Sequence, residues 1–300
     1  MLEAVRVARP RRLYVSSSSP IGAAEEPACA ETRGLFDDVG WPCEVRRMFW
    51  PDNLGCRLNV ARGIGWALES EEEVIILEDD CVPTESFFRF CSENLERYRG
   101  DERVMSVSGT NFLFEETVTG DSYFFSRYVN VWGWATWRRA WRHYDHDLAL
   151  WEEARQQGWL RDVFERALVR RYWTLTLDLI RDGALDVWDF PWMMSCWLQG
   201  GLSVQPTINL VRNIGFGPQA THTTMEDKLS RMSISEMRFP LRHPLAVRRN
   251  ARADRRIERM VYATPSSVLA LEWHSFLWRL PRPLKDRLRS LLGMRPSRRR

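Results

Sequence analysis

Apolar and polar positions along the first hundred residues predict helices and strands by turns. Leu2–Ala8 reads as a short amphipathic helix and Leu13–Ser17 as a strand, with Pro20 and Gly22 marking a turn. An Ala/Glu-rich helix follows to about Asp38, then a strand at Cys43–Phe49. Asn53 suits the N-cap of a helix reaching Leu68, with Leu54, Leu58, Ala61 and Gly65 on one face. Val74–Asp80 reads VIILEDD, four apolar residues running straight into Glu78-Asp79-Asp80 between the acidic Glu71-Glu72-Glu73 and Pro83, the pattern of a buried strand. Glu85–Tyr98 carries Phe87, Phe88, Cys91, Leu95 and Tyr98 as a helical core stripe, and Val104–Ser108 is a further strand. This βαβαβ rhythm predicts an α/β fold: a mainly parallel sheet flanked by helices.

After Gly109 aromatics become dense, at Tyr123, Phe124, Phe125 and Tyr128 and then in WGWATWRRAW (132–141). Helices are expected over 148–182, a second acidic-aromatic cluster at DVWDFPWMMSCW (186–197), and a strand at Leu202–Gln205. Beyond about 226 the pattern turns irregular and then helical, which divides the chain into a domain at 1–226 and a C-terminal extension at 227–300. In that extension Leu284, Leu288, Leu291 and Leu292 share a helical face opposite Arg and Lys. Such a basic amphipathic helix suits peripheral contact with an anionic membrane surface; a disordered basic terminus, or a helix packed on the body, is the other reading.

Composition changes this picture little. With 44% apolar and 28% charged residues, the chain belongs to the globular class. No stretch reaches the roughly 18 apolar residues of a membrane span, and the N-terminus lacks a signal-peptide core. Six cysteines without a C-x-x-C pair suggest reduced thiols, hence a cytoplasmic protein, peripheral at the inner membrane face if the tail binds lipid. Lysine occurs only at Lys228 and Lys285, and the arginine excess is read as the bias of a GC-rich bacterial genome. Charge adds more. Of the net +3, residues 277–300 carry +8, leaving −5 for the rest, so nucleic acid is not an expected partner of the body.

The chemistry concentrates at Glu78-Asp79-Asp80, where an apolar strand ends in three carboxylates. Open α/β sheets bind ligands at such strand ends. Crowded carboxylates repel one another unless a cation intervenes, and Mg²⁺ or Mn²⁺ would also hold a phosphate. The competing reading is a solvated acidic turn before the next helix, since Thr84 and Glu85 suit a helix start.

In order and spacing, NLGC (53–56), IILEDDCVP (75–83), FFRFC (87–91), WGWATWRRAW (132–141) and NIGFG…ATHT (213–223) resemble bacterial nucleotide-diphospho-sugar transferases of the GT-A type. More distantly they are similar to eukaryotic N-acetylglucosaminyltransferases that extend mannose arms. The resemblance spans roughly residues 11–226 and implies a GT-A-like fold. It also implies metal-dependent, inverting transfer from a UDP- or GDP-sugar to a glycan or lipid-linked acceptor. By that likeness Asp80 binds the divalent metal, with His222 reaching back to metal or diphosphate. Glu78 and Asp79 contact ribose or orient the metal's water shell. Asp189 of WDFPW is the general base, with Asp186 second; Trp134 lines the site, and Asn53 and Gly55 lie near the nucleotide, with Arg57 or Arg62 as phosphate partners.

Each assignment has a plainer counterpart. His222 also reads as a surface residue, Asp189 as a helix cap, the tryptophans as packing and the arginines as exposed charges. Two departures from the family pattern bear on activity. Met1 opens at the helix, so the family's first strand is expected to be missing, whether the chain starts late or lacks the element. Ser17-Ser18-Ser19-Pro20 stands where relatives carry an Asp-Gly-Pro-like turn. These departures keep a non-catalytic nucleotide- or glycan-binding relative in view, and the carboxylates alone would also suit a metal-dependent phosphohydrolase.

Overall fold

A computed structural model describes residues 1–216, 229, 231–281, 283 and 284 of the chain. Its elements run α1 (Leu2–Ala8), β1 (Arg12–Ser17), α2 (Glu26–Gly34), β2 (Glu44–Phe49), α3 (Gly55–Ser70), β3 (Glu73–Ile76), β4 (Cys81–Pro83), α4 (Glu85–Arg97) and β5 (Val104–Ser108). Then come β6 (Tyr123–Ser126), β7 (Trp134–Trp137), α5 (Arg138–Trp141), α6 (Trp151–Gln156), α7 (Leu160–Val163) and α8 (Ala167–Arg181). The chain continues through α9 (Asp189–Leu198), β8 (Leu202–Pro206), β9 (Val211–Asn213), α10 (Ala251–Ile257), a π-helical turn (Glu258–Tyr262) and α11 (Pro265–Arg279). Among the described residues no helix is long and apolar enough to cross a membrane.

Two compact units result, and both are discontinuous in sequence. The first comprises Met1–His146 and Val187–Ile257; the second comprises Asp147–Asp186 and the chain from Glu258. The division expected at 226 falls outside the described residues.

The first unit is α/β, but its main sheet is mixed and not mainly parallel. Five strands lie in the order β3-β7-β5-β8-β6, and only β5 and β8 run parallel. The βαβ rhythm had implied a mainly parallel sheet. Instead β7 is inserted between β3 and β5, antiparallel to both. The strands β1 and β2 form a separate parallel pair, and β4 pairs with β9. Helix α3 packs on β1 and β3, and α4 on β3, β5 and β7.

Side-chain alternation along β7 explains its central place. Ala135 and Trp137 point to one face, into a core with Phe90, Leu95, Val107 and Phe125. Trp134 points to the other face, among Trp141, Trp188 and Trp192. A strand with a tryptophan on each face must be covered on both. At its start the chain makes a tight crossing: Gly109 N donates to Gly133 O at 2.7 Å, and a Cβ on Gly133 would lie 2.6 Å from Val211. With φ at +61° as well, position 133 requires glycine.

In the second unit α8 packs against α11. Trp151 donates through Nε1 to the buried Asp178 carboxylate at 2.9 Å, and Trp173 packs between Phe164 and Tyr262.

Candidate active site

The acidic triplet does not continue β3. The strand stops at Ile76, and Leu77–Asp80 turn before β4 begins. Cys81 N donates to Glu78 O at 3.0 Å, closing that turn. The turn is then clamped by the segment after β9: Ile214 N donates to Asp80 O at 2.8 Å. Asn213 Nδ2 donates to Asp80 Oδ2 at 3.2 Å, while Asn213 Oδ1 accepts from Gly215 N at 2.7 Å. Gly215 lies so close that an added Cβ would sit 2.2 Å from Asp80 Oδ2. The Asp80 carboxylate is therefore held by a neighbour without a side chain and by an amide whose own oxygen is fixed.

Helix α9 brings the second acidic motif to the same place. Burial pushes the half-buried Glu78 carboxyl up to about 8, and the charges of Asp80, Asp189 and Asp79 add to the rise. A hydrogen bond from the Trp188 side chain opposes it. Asp189 is raised to about 6 by burial, against the pull of the Asp189 and Phe190 N–H groups at the start of α9. Asp189 is the first residue of α9, whose N-cap is Trp188 without a side-chain cap hydrogen bond, so the plain helix-cap reading does not hold and Asp189 belongs to the cluster. Asp79 is exposed.

Behind the carboxylates stands an aromatic layer. The Trp188 ring stacks on Trp134 with centroids 5.6 Å apart. Trp141 stacks on Tyr144 at 4.4 Å, and Tyr144 OH donates to Trp188 O at 3.3 Å. Trp134 is fully buried within this layer. Its faces are covered by other rings, so it supports Trp188 and does not offer a surface to a ligand.

Other predicted residues sit elsewhere. Asn53 Nδ2 donates to Ser19 O at 2.7 Å, and Gly55 N donates to Asn53 Oδ1 at 3.0 Å. Leu54 N reaches Ser18 Oγ at 3.3 Å, so the start of α3 is tied to the Ser17–Pro20 turn. Gly55 has φ +69°, which favours glycine. Arg57 donates to the His146 carbonyl, and Arg62 lies 5.8 Å from the Trp50 ring centroid. Asp186 is exposed and belongs to the second unit. His222 lies outside the described residues. Burial, with Asp80 and Glu78 nearby, drives the Cys81 thiol far above its ordinary range, so Cys81 is a core residue and not a nucleophile. None of the six cysteines forms a disulfide.

The clustered groups are hard oxygen donors, the ligand type preferred by Mg²⁺ and Mn²⁺. Among the described residues no three His, Cys, Asp or Glu side chains converge as a ready metal cage. That donor set fits a cation held by one or two carboxylates and completed by water and substrate phosphate.

Sequence reasoning missed Asn213, Gly215 and Trp188 as members of the site. Asn213 and Gly215 lie within the NIGFG segment, but only the β4–β9 pairing puts them against Asp80. Neither a known protein family nor any curated protein matches this chain.

Proposed function

We propose that the first unit is the donor site of a metal-dependent glycosyltransferase with a GT-A-like fold, acting on a nucleoside diphosphate sugar. The observation supporting this reading is that Asp189 joins Glu78, Asp79 and Asp80 in one electrostatic neighbourhood, although the two motifs lie far apart in the chain. Asp80, with Glu78 or Asp79, would hold the divalent cation. When bound, that cation supplies charge neutralisation to a diphosphate leaving group. Asp189 takes the proton from an acceptor hydroxyl as it attacks the anomeric carbon on the inverting path. Its position at the start of α9 fixes the carboxylate through two backbone N–H groups. Trp188 orients Glu78, and the aromatic layer behind it keeps that indole from turning. A glycan or lipid-linked hydroxyl is the acceptor class that fits this chemistry.

One observation favours a second reading, a relative that binds the donor without turning it over. Ser17–Ser19 offers no carboxylate for ribose or base recognition, and Ser19 Oγ spends its hydrogen bond on the Trp50 and Pro51 carbonyls. Calorimetric titration of UDP and GDP, with and without Mn²⁺, separates the alternatives when combined with donor-hydrolysis and transfer assays. Metal-dependent binding that disappears in Asp80→Ala and turnover that disappears in Asp189→Asn are expected. Binding without turnover in the unaltered chain would select the second reading. Failure of folded protein to bind either nucleotide would sink both.

A further inference from the structure

Helix α11 of the second unit leaves a large apolar stripe uncovered. Leu269 is 64% exposed, Trp273 43% and Phe276 51%. They lie at i, i+4 and i+7, which places them on one side of the helix. The Trp273 and Phe276 rings stack at 5.6 Å and 28°. Val268 and Ser275 of the same helix are buried, and α11 packs on α8, so the stripe is not the face that holds the helix in place. Trp278 and Leu284, 41% and 50% exposed, add apolar surface toward the end of the described chain.

Charge identifies what covers this stripe. The basic segment begins inside α11, at the exposed Arg279, and residues 277–300 together carry +8 in sequence. The partner must therefore offer an apolar layer and a dense negative charge side by side. The boundary of an anionic bilayer offers both: aromatic rings settle at headgroup depth, and Arg and Lys pair with lipid phosphates above them. We propose that the Leu269–Trp273–Phe276 stripe is a peripheral docking surface for anionic lipid. This inference does not depend on the glycosyl-transfer reading, because every residue it uses lies in the second unit.

Flotation of the full chain with phosphatidylcholine vesicles, made with and without phosphatidylglycerol, tests the proposal. Co-flotation is expected with the anionic vesicles only, accompanied by a blue shift in tryptophan emission and weakened by high salt. Trp273→Ser with Phe276→Ser should lower partitioning about ten-fold or more while leaving the far-UV dichroism unchanged, because both rings are exposed. Leu269→Ser serves as a milder variant expected to lower partitioning less. Equal flotation of the double variant would overturn the proposal, as would equal binding to neutral vesicles. A third overturning result would be no vesicle binding together with a dimer that the double variant converts to monomer; the stripe would then be a contact between copies.

Discussion

A methyl group on Gly215 would lie 2.2 Å from Asp80 Oδ2, so Gly215→Ala cannot leave that carboxylate where it is. Because Asn213 and Gly215 position Asp80 without being ligands themselves, the variant should lose about 10- to 100-fold in Mn²⁺-dependent nucleotide affinity. Titration calorimetry reads that loss, and a melting temperature close to the parent's separates it from unfolding. Glu78 makes a second residue-scale prediction, through pH. Its native carboxyl titrates at about 8, above its ordinary 4.5, so the native state holds the proton longer than the unfolded chain does. Stability from this group is complete below the unfolded value and is lost as pH rises toward 8. In metal-free buffer Glu78→Gln should be nearly neutral at about pH 5 and stabilising by about 1–3 kcal/mol at about pH 9, a figure discounted for partial solvent access. Urea titrations at the two pH values check it. Asp189 sets the activity profile: as the base it must be ionised, so transfer should rise with pH through about 6 and disappear in Asp189→Asn. At this scale the sequence was informative for the acidic side chains and silent on what holds them. An EDD run at the end of an apolar strand is visible locally. The Asn213–Gly215 clamp exists only because β9 pairs with β4, and the Trp188 hydrogen bond only because α9 returns to the same turn.

At the scale of elements, helices with a one-sided apolar stripe were readable, and so were strands bounded by turns. Helix α4 matches its Phe87–Leu95 stripe, and β5 occupies the expected Val104–Ser108. What escaped were β4, β6 and β9 and, with most consequence for the sheet, β7. Its four residues, WATW, are too short to show alternation, and large apolar side chains on both faces mimic a ligand-binding aromatic run. The mainly parallel sheet was expected because the antiparallel strands β6 and β7 were not recognised. The burial of Trp134 carries a prediction. Trp134→Ala should cost about 3–5 kcal/mol, since it opens a cavity among Trp141, Trp188 and Trp192. Near-UV dichroism should lose intensity along with stability. Were Trp134 instead a sugar-binding surface, the variant would keep its stability and lose only acceptor or donor affinity.

At the scale of the molecule, the first unit depends on contacts between segments that the chain separates widely. Strands β8 and β9 return to pair with β5, β6 and β4, and α10 returns to β6. The last of these returns is fastened by a buried charge. Asp254, 1% exposed, accepts from Ser126 Oγ at 2.6 Å and lies 3.3 Å from Arg127 Nε and 3.5 Å from Arg249 Nε. Arg127 is itself buried. Removing one partner of such a pair leaves the other charge desolvated without its counter-ion, so Asp254→Ala should cost about 3–5 kcal/mol. The same reasoning predicts that the pair is far less valuable than its disruption suggests. Desolvating two ions offsets most of their attraction, so Arg127→Met combined with Asp254→Leu should recover most of the loss. A double-mutant cycle by chemical denaturation gives the coupling. Large coupling with a nearly stable double variant would mean that the ion pair selects the arrangement of α10 on β6 and contributes little net stability. Additive losses would mean that Asp254 acts chiefly through Ser126, and that the two arginines are held by packing alone.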